Sequence, residues 1–174
     1  LVINYASSFG LKRFILCSGY KGEVIAGHYK NKNDGLEYIM SEEHVPLGTG
    51  GALVHARSLI KSKVFLGLNG DSFCPIDLKK FFKSHTEKRA TVSIALTSID
   101  DPRDYGSISL NDNQEITAFN EKNTTKGNGK GLINAGIYLF NQSSMAPFPS
   151  TKNISLEYDI FPGLIKKGLY GYVD

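Results

Sequence analysis

The sequence is poor in cysteine and histidine. Its 174 residues include two cysteines, Cys17 and Cys74, and four scattered histidines. Two cysteines cannot make a disulfide framework, and no CxxC or HxxxH spacing is present to hold zinc. This cysteine usage favours a reducing compartment, and we predict a cytoplasmic location.

The sequence also lacks a long apolar run and a strong excess of charge. No apolar stretch comes near the ~18 residues that a membrane span requires, and the opening residues do not resemble a secretory leader. The sequence contains 20 Lys and Arg and 17 Asp and Glu, which gives a net charge of +3. Because the basic residues are scattered rather than arranged in a stripe, we expect neither a nucleic acid nor a membrane as partner.

What is present is typical of a globular protein. Hydrophobic residues make up 41% of the chain and charged residues 21%, and the 18 glycines and 6 prolines are spread along it. At ~150 residues per domain, the length predicts a single domain. That domain spans residues 1–174.

Helical patterns alternate with short apolar strands in the first half of the chain, which predicts a parallel sheet with helices on both faces. These elements are helix 1–9, strand 14–17, helix 23–29, strand 36–40, helix 51–60, strand 64–68 and helix 76–83. Beyond residue 91, strands 91–97, 107–110, 115–120 and 132–140 follow one another directly. This second pattern predicts antiparallel additions, so the fold class is α/β with a mixed, mostly parallel sheet.

The last helical pattern carries both a start signal and a break signal. Ser155 is placed to cap a helix that runs to Lys167 and ends before Gly168. Pro162 predicts a break or a kink in that helix, unless it begins a second helical segment.

A glycine-rich loop joins a predicted strand to a predicted helix. Glycines let backbone N–H and C=O groups approach a planar or anionic ligand, and a helix N-terminus adds partial positive charge. The alternative is a tight turn that requires positive φ, since the loop matches neither GxGxxG nor GxxxxGKS. The candidate binding residues of this loop are Pro46, Leu47, Gly48, Thr49, Gly50 and Gly51.

Asp71 follows an apolar strand, at its predicted C-terminal end. Ligands of open α/β sheets collect at that end. Gly70 leaves the carboxylate exposed, where it can bind a hard cation such as Mg²⁺ through oxygen. The alternative is an Asp that caps the next helix or turn.

Further polar residues and glycines lie at strand ends, inside one strand and at a helix start. A Tyr-Gly step brings backbone close to a ligand, and a Glu-Lys pair offers an acceptor for sugar hydroxyls and a cation for phosphate. The alternatives are ordinary strand ends, a solvated charge pair, a β-bulge and a carboxylate that complements a helix dipole. The residues concerned are Tyr105, Gly106, Glu121, Lys122, Asn134, Gly136 and Glu157.

Taken in order, these segments resemble the sugar nucleotidyltransferase family, whose members join a sugar 1-phosphate to a nucleoside triphosphate. The resemblance covers nearly the whole chain, and within the family it is strongest to the heptose 1-phosphate and mannose 1-phosphate guanylyltransferases. The segments that carry it are Gly19-Tyr20-Lys21, residues 46–51, Leu68-Asn69-Gly70-Asp71, Asp104-Tyr105-Gly106, Phe119-Asn120-Glu121-Lys122, Asn134-Ala135-Gly136-Ile137-Tyr138 and Ser155-Leu156-Glu157.

The resemblance implies a Rossmann-like nucleotidyltransferase fold and an enzyme that transfers a nucleotidyl group from GTP to heptose or mannose 1-phosphate, with release of pyrophosphate. It implies that residues 46–51 bind the nucleotide and that Asp71 is the catalytic residue, which binds Mg²⁺. Sugar binding is assigned by the same resemblance to Tyr105, Gly106, Glu121, Lys122, Asn134, Gly136 and Glu157. No covalent nucleophile is required, in agreement with the lack of a GxSxG signature.

The sequence departs from the family pattern at both ends. The family opens with a strand and a Gly-Gly-x-Gly-Thr-Arg-Leu type of loop followed by a Lys-Pro pair, and it has a second metal-binding Asp that Asp174 does not match. We therefore expect a domain truncated at both ends and inactive by itself. A sheet edge left open in this way invites pairing with another chain, so a homo-oligomer remains an open expectation.

Two other functions are compatible with parts of this pattern. A non-catalytic nucleotidyltransferase-like domain with a binding or regulatory role would also lack the flanking motifs. A glycosyltransferase with a nucleotide-sugar donor would share the sheet and a metal-binding carboxylate. It would require an Asp-x-Asp motif, however, where this sequence has Asp71-Ser72-Phe73.

Overall fold

The first half of the chain alternates helices and strands, as predicted. The structure is a computed structural model and describes residues 1–100, 106–120, 130–149 and 152–174. The elements are α1 (Val2–Ser8), β1 (Arg13–Ser18), α2 (Gly22–Lys30), β2 (Glu37–Glu42), α3 (Gly48–His55), a 3₁₀ turn (Ala56–Leu59), β3 (Val64–Leu68) and α4 (Leu78–Glu87). Strands β1 and β2 pair in parallel.

The second half contributes most of the strands of the larger sheet. Its elements are β4 (Val92–Ile99), β5 (Ser107–Leu110), β6 (Ile116–Asn120), β7 (Gly131–Asn141), a 3₁₀ turn (Gln142–Met145), a π-helical turn (Leu156–Ile160), α5 (Phe161–Leu164) and β8 (Leu169–Val173). We call Leu156–Ile160 the Glu157 turn. Strands β5 and β6 form an antiparallel hairpin, and β5 packs against β7.

The larger sheet has the strand order β3-β7-β4-β8 among the described residues. Both β3 and β4 are antiparallel to β7, and β8 is parallel to β4. Three strands therefore run in one direction, and the reversed strand β7 lies between two of them. This arrangement confirms a mixed sheet with antiparallel additions after residue 91.

Apolar side chains cover both faces of this sheet. Successive residues of a strand point to opposite faces. On β7, Tyr138 and Phe140 therefore join the cluster around Phe161, while Ile137 joins the cluster around Phe81 of α4. In the described parts of the chain, no helix is long and apolar enough to cross a membrane.

Two predicted helix starts were wrong. Helix α3 begins at Gly48 instead of residue 51 and gives way to the 3₁₀ turn after His55. Helix α4 begins at Leu78 because the Asp77 side chain accepts the N–H groups of Lys79 and Lys80, so Asp77 is the N-cap rather than a first-turn residue. The last helical pattern is two pieces, and Pro162 lies in the first turn of the second, as the alternative prediction had it.

Candidate active site

The carboxamide of Asn134 is the centre of a hydrogen-bonded cluster on β7. Its Oδ1 accepts the backbone N–H of Gly136 at 2.9 Å. Its Nδ2 donates to the Tyr138 hydroxyl at 2.9 Å and to Glu157 Oε1 at 2.8 Å. The structure thus brings together three of the predicted sugar-binding residues, Asn134, Gly136 and Glu157.

A β-bulge at Gly136 shapes this cluster. Pairing between β4 and β7 shifts register between Ile94 and Leu96, and Gly136 has φ +72°. The alternative prediction of a bulge is therefore confirmed. The positive φ and the lack of a Cβ let the Asn69 side chain lie against the Gly136 backbone, because an added Cβ would come within 2.8 Å of Asn69 Nδ2.

The end of β3 is joined to this bulge. Asn69 follows β3, and its backbone N–H donates to the Gly136 carbonyl at 2.9 Å. The predicted metal-binding residue, Asp71, lies two residues beyond Asn69 in the chain.

Asp71 is exposed, and its carboxylate accepts a 3.1 Å hydrogen bond from Ser72 Oγ. The next helix is capped by Asp77, so Asp71 is not its cap. Within the described ranges, no three His, Cys, Asp or Glu side chains form a group that could hold a metal ion. One exposed carboxylate nevertheless fits Mg²⁺, which is commonly bound through one or two carboxylates together with substrate phosphates and water.

The glycine-rich segment is largely engaged within the protein. Residues Gly48–Gly51 form the first turn of α3, and the backbone N–H groups of Gly50 and Gly51 donate to the Ile154 carbonyl at 2.8 and 3.1 Å. The Ile154 N–H donates back to the Leu47 carbonyl at 2.8 Å. Only Gly48 has the positive φ, +72°, of the predicted tight turn. The N–H groups of Gly50 and Gly51 are therefore not free donors for a ligand, contrary to the expected mode of binding.

The ends of this segment contact the residues that lead into the Glu157 turn. The Pro46 carbonyl accepts from Asn153 Nδ2 at 3.2 Å. Thr49 Oγ1 accepts the backbone N–H of Leu156 at 3.0 Å. Ser155 caps the Glu157 turn, as predicted, by accepting the N–H groups of Glu157 and Tyr158.

Hydrogen bonds thus connect the segment 46–51, the Glu157 turn, the bulge of β7 and the end of β3. The network includes two residues that were not among the predicted site residues, Asn69 and Tyr138. Both occur in the sequence motifs, where Asn69 marks the end of a strand and Tyr138 occupies an apolar position within a strand. The pairing of β3 with β7 reveals the place of Asn69, and the bulge of β7 reveals that of Tyr138.

Of the remaining predicted sugar-binding residues, the structure describes Gly106. Gly106 is exposed and precedes β5, and a Cβ there would lie 3.2 Å from the Asn120 carbonyl oxygen at the end of β6. Tyr105, Glu121 and Lys122 lie outside the described residues.

The sequence profile of the family described as nucleotidyl transferase matches residues 2–171. The chain belongs to this family. Its predicted α/β fold is confirmed by a solved structure, that of HddC from Yersinia pseudotuberculosis complexed with GMP-PN. The two superpose with a TM-score of 0.83 and 29% sequence identity, over 99% of this chain and 74% of that chain.

Two relatives named as guanylyltransferases align with nearly the whole chain. The D-glycero-alpha-D-manno-heptose 1-phosphate guanylyltransferase of Aneurinibacillus thermoaerophilus is 31% identical, over 97% of this chain and 72% of that enzyme. The mannose-1-phosphate guanylyltransferase of Mycobacterium tuberculosis is also 31% identical, over 99% of this chain and 49% of that enzyme. The chain therefore spans about half the length of the second relative.

Proposed function

We propose that the protein transfers a guanylyl group from GTP to a mannose-type sugar 1-phosphate, with release of pyrophosphate. The observation that carries this proposal is the hydrogen-bonded connection of the segment 46–51, Glu157, Asn134 and the strand end before Asp71. In the reaction, a phosphate oxygen of the sugar 1-phosphate attacks the α-phosphorus of GTP. The bond from that phosphorus to the pyrophosphate oxygen breaks.

The cluster around Asn134 is suited to a sugar rather than to an anion. Both hydrogens of Asn134 Nδ2 are donated within the protein, and Oδ1 keeps one further acceptor position. The Glu157 carboxylate adds acceptor positions and negative charge. A ligand here must donate hydrogen bonds, which sugar hydroxyls do and phosphate oxygens do not.

We assign the phosphate groups to the neighbourhood of Asp71. Mg²⁺ bound there would neutralise the charge that develops on the phosphate oxygens. The Asp71 carboxylate would hold that ion at the end of β3, beside the sugar cluster. Positioning of this kind accelerates a reaction that needs no covalent intermediate.

We place the nucleotide at the segment 46–51, because this segment is hydrogen-bonded to the turn that carries Glu157. The preference for guanine is supported by the names of the relatives and by the GMP-PN complex of the similar structure. A cytoplasmic location is supported by two free thiols, Cys17 and Cys74.

The test is pyrophosphate release by the full-length protein with Mg²⁺, mannose or heptose 1-phosphate, and each of GTP, ATP, UTP and dTTP. We expect turnover with GTP to exceed turnover with the other nucleotides. Preference for UTP or dTTP would contradict the assigned base. Nucleotide binding without any turnover would support a non-catalytic domain instead.

Thr49 provides a sharper prediction about the segment 46–51. Because its hydroxyl accepts the Leu156 N–H, Thr49→Val should loosen the Glu157 turn. We expect the KM for sugar 1-phosphate to rise by roughly threefold to tenfold, the effect of losing about one hydrogen bond. The ratio of kcat/KM for GTP to kcat/KM for UTP should stay the same.

Thr49→Ser is the matched control, since it keeps the hydroxyl and should keep the wild-type KM. If Thr49→Val changes the nucleotide ratio and leaves the sugar KM unchanged, the hydroxyl acts on the base and our interpretation of the contact with Leu156 is wrong.

A further inference from the structure

The Tyr138 hydroxyl is a buried polar group that has no role in the reaction proposed above. We propose that Tyr138 is a positioning residue, whose hydroxyl fixes the orientation of the Asn134 carboxamide and thereby the acceptors that hold the sugar. This inference rests on the proposed function and deepens it.

Three partners hold the Asn134 carboxamide in one orientation. A terminal carboxamide rotates easily, and rotation by half a turn exchanges its oxygen with its nitrogen. Gly136 holds the oxygen by its N–H, while Glu157 and Tyr138 accept the two nitrogen-bound hydrogens. Loss of the Tyr138 hydroxyl would leave one of these hydrogens without its acceptor and remove part of the preference for this orientation.

Tyr138 is better fixed than Glu157. Tyr138 is 3% exposed, whereas Glu157 is exposed to solvent. The Tyr138 ring packs against the rings of Phe140 and Phe161, with centroid distances of 5.8 and 5.5 Å. The hydroxyl is therefore held in place by the core before any ligand binds, which is the property that a positioning residue requires.

The hydroxyl also keeps its proton under ordinary conditions. The pKa of Tyr138 is raised to about 12, chiefly by burial and also by the charge of Glu157, while hydrogen bonds with Asn134 and Asn69 lower it. The neutral hydroxyl can accept the Asn134 hydrogen while retaining a proton of its own to donate. No second negative charge is placed beside Glu157.

The test is Tyr138→Phe in the full-length protein, which removes the hydroxyl and keeps the ring. We expect the Kd of mannose 1-phosphate or heptose 1-phosphate, measured calorimetrically with Mg²⁺ and a non-hydrolysable GTP analogue, to rise roughly threefold to tenfold. The KM for the sugar should rise equally and the KM for GTP should not change. Tyr170→Phe is the matched control, because its hydroxyl donates to Glu115, away from the Asn134 cluster.

A double-mutant cycle separates positioning from general stability. In an Asn134→Ala background, Tyr138→Phe should produce no further change in sugar Kd, because there is no carboxamide left to orient. Additive losses of sugar affinity, or an unchanged sugar Kd in Tyr138→Phe, would overturn the proposed role of Tyr138. If the wild-type protein is active in that case, the proposed function still stands. A wild-type protein that neither binds nor converts either sugar 1-phosphate would overturn both.

Discussion

In the full-length protein, Asp71→Asn should lower the kcat of the proposed guanylyl transfer by about two orders of magnitude or more, the loss that follows removal of one strong charge contact in a transition state. The side chain is exposed and accepts a hydrogen bond from Ser72, which an asparagine oxygen can also accept. The midpoint of thermal unfolding should therefore stay close to that of the wild type. Steady-state kinetics over a range of Mg²⁺ concentrations, together with thermal unfolding, measures both quantities.

The matched control is Asp112→Asn, which removes the same charge from the exposed turn between β5 and β6. Its kcat should equal that of the wild type. Near-normal turnover of Asp71→Asn at saturating Mg²⁺ would remove Asp71 from the catalytic site and leave the fold assignment unaffected.

The parts of the fold that could be predicted are those set by local pattern. The role of Ser155 as a helix cap depends on neighbours within a few residues. The same holds for the position of Pro162 at the start of a second helical segment. The alternation of helices and strands depends on the spacing of apolar residues, which the sequence displays directly.

The start of α3 could not be predicted in the same way. Three glycines among residues 48–51 disfavour a helix, and local pattern therefore placed them in a loop. Their helical turn is stabilised by the carbonyl of Ile154, which is about a hundred residues away in the sequence. A contact at this separation leaves no periodic signal near the glycines.

The sequence predicted several residues of the candidate site, but not the hydrogen bonds that connect them. Asn134, Gly136 and Glu157 were identified by resemblance, and they do lie together. The role of Asn69 depends on the register that places Leu68 opposite Ile137. The role of Tyr138 depends on the β-bulge of its own strand, which brings its hydroxyl within hydrogen-bond distance of Asn134. Register between strands so far apart in the chain follows from tertiary packing, so neither residue could be recognised from the sequence alone.

Gly51→Ala should lower the free energy of unfolding by about 1–3 kcal/mol, the usual cost of forcing an extra group into a packed region. Its Cβ would lie 2.7 Å from the Lys152 carbonyl oxygen and 2.9 Å from Leu47 Cβ, and neither atom belongs to the flexible end of a side chain. The first turn of α3 would have to move away from residues 152–154, which weakens the hydrogen bonds to Ile154. Urea unfolding in the absence of ligands measures this loss.

Gly27→Ala is the matched control, because it makes the same substitution inside helix α2 with no atom within 4 Å of the new Cβ. At that position only the higher helix propensity of alanine acts, and the free energy of unfolding should rise by about 0.5–1 kcal/mol. The two variants are thus expected to shift stability in opposite directions. If Gly51→Ala were also stabilising, the glycines of α3 would not serve close packing against residues 152–154.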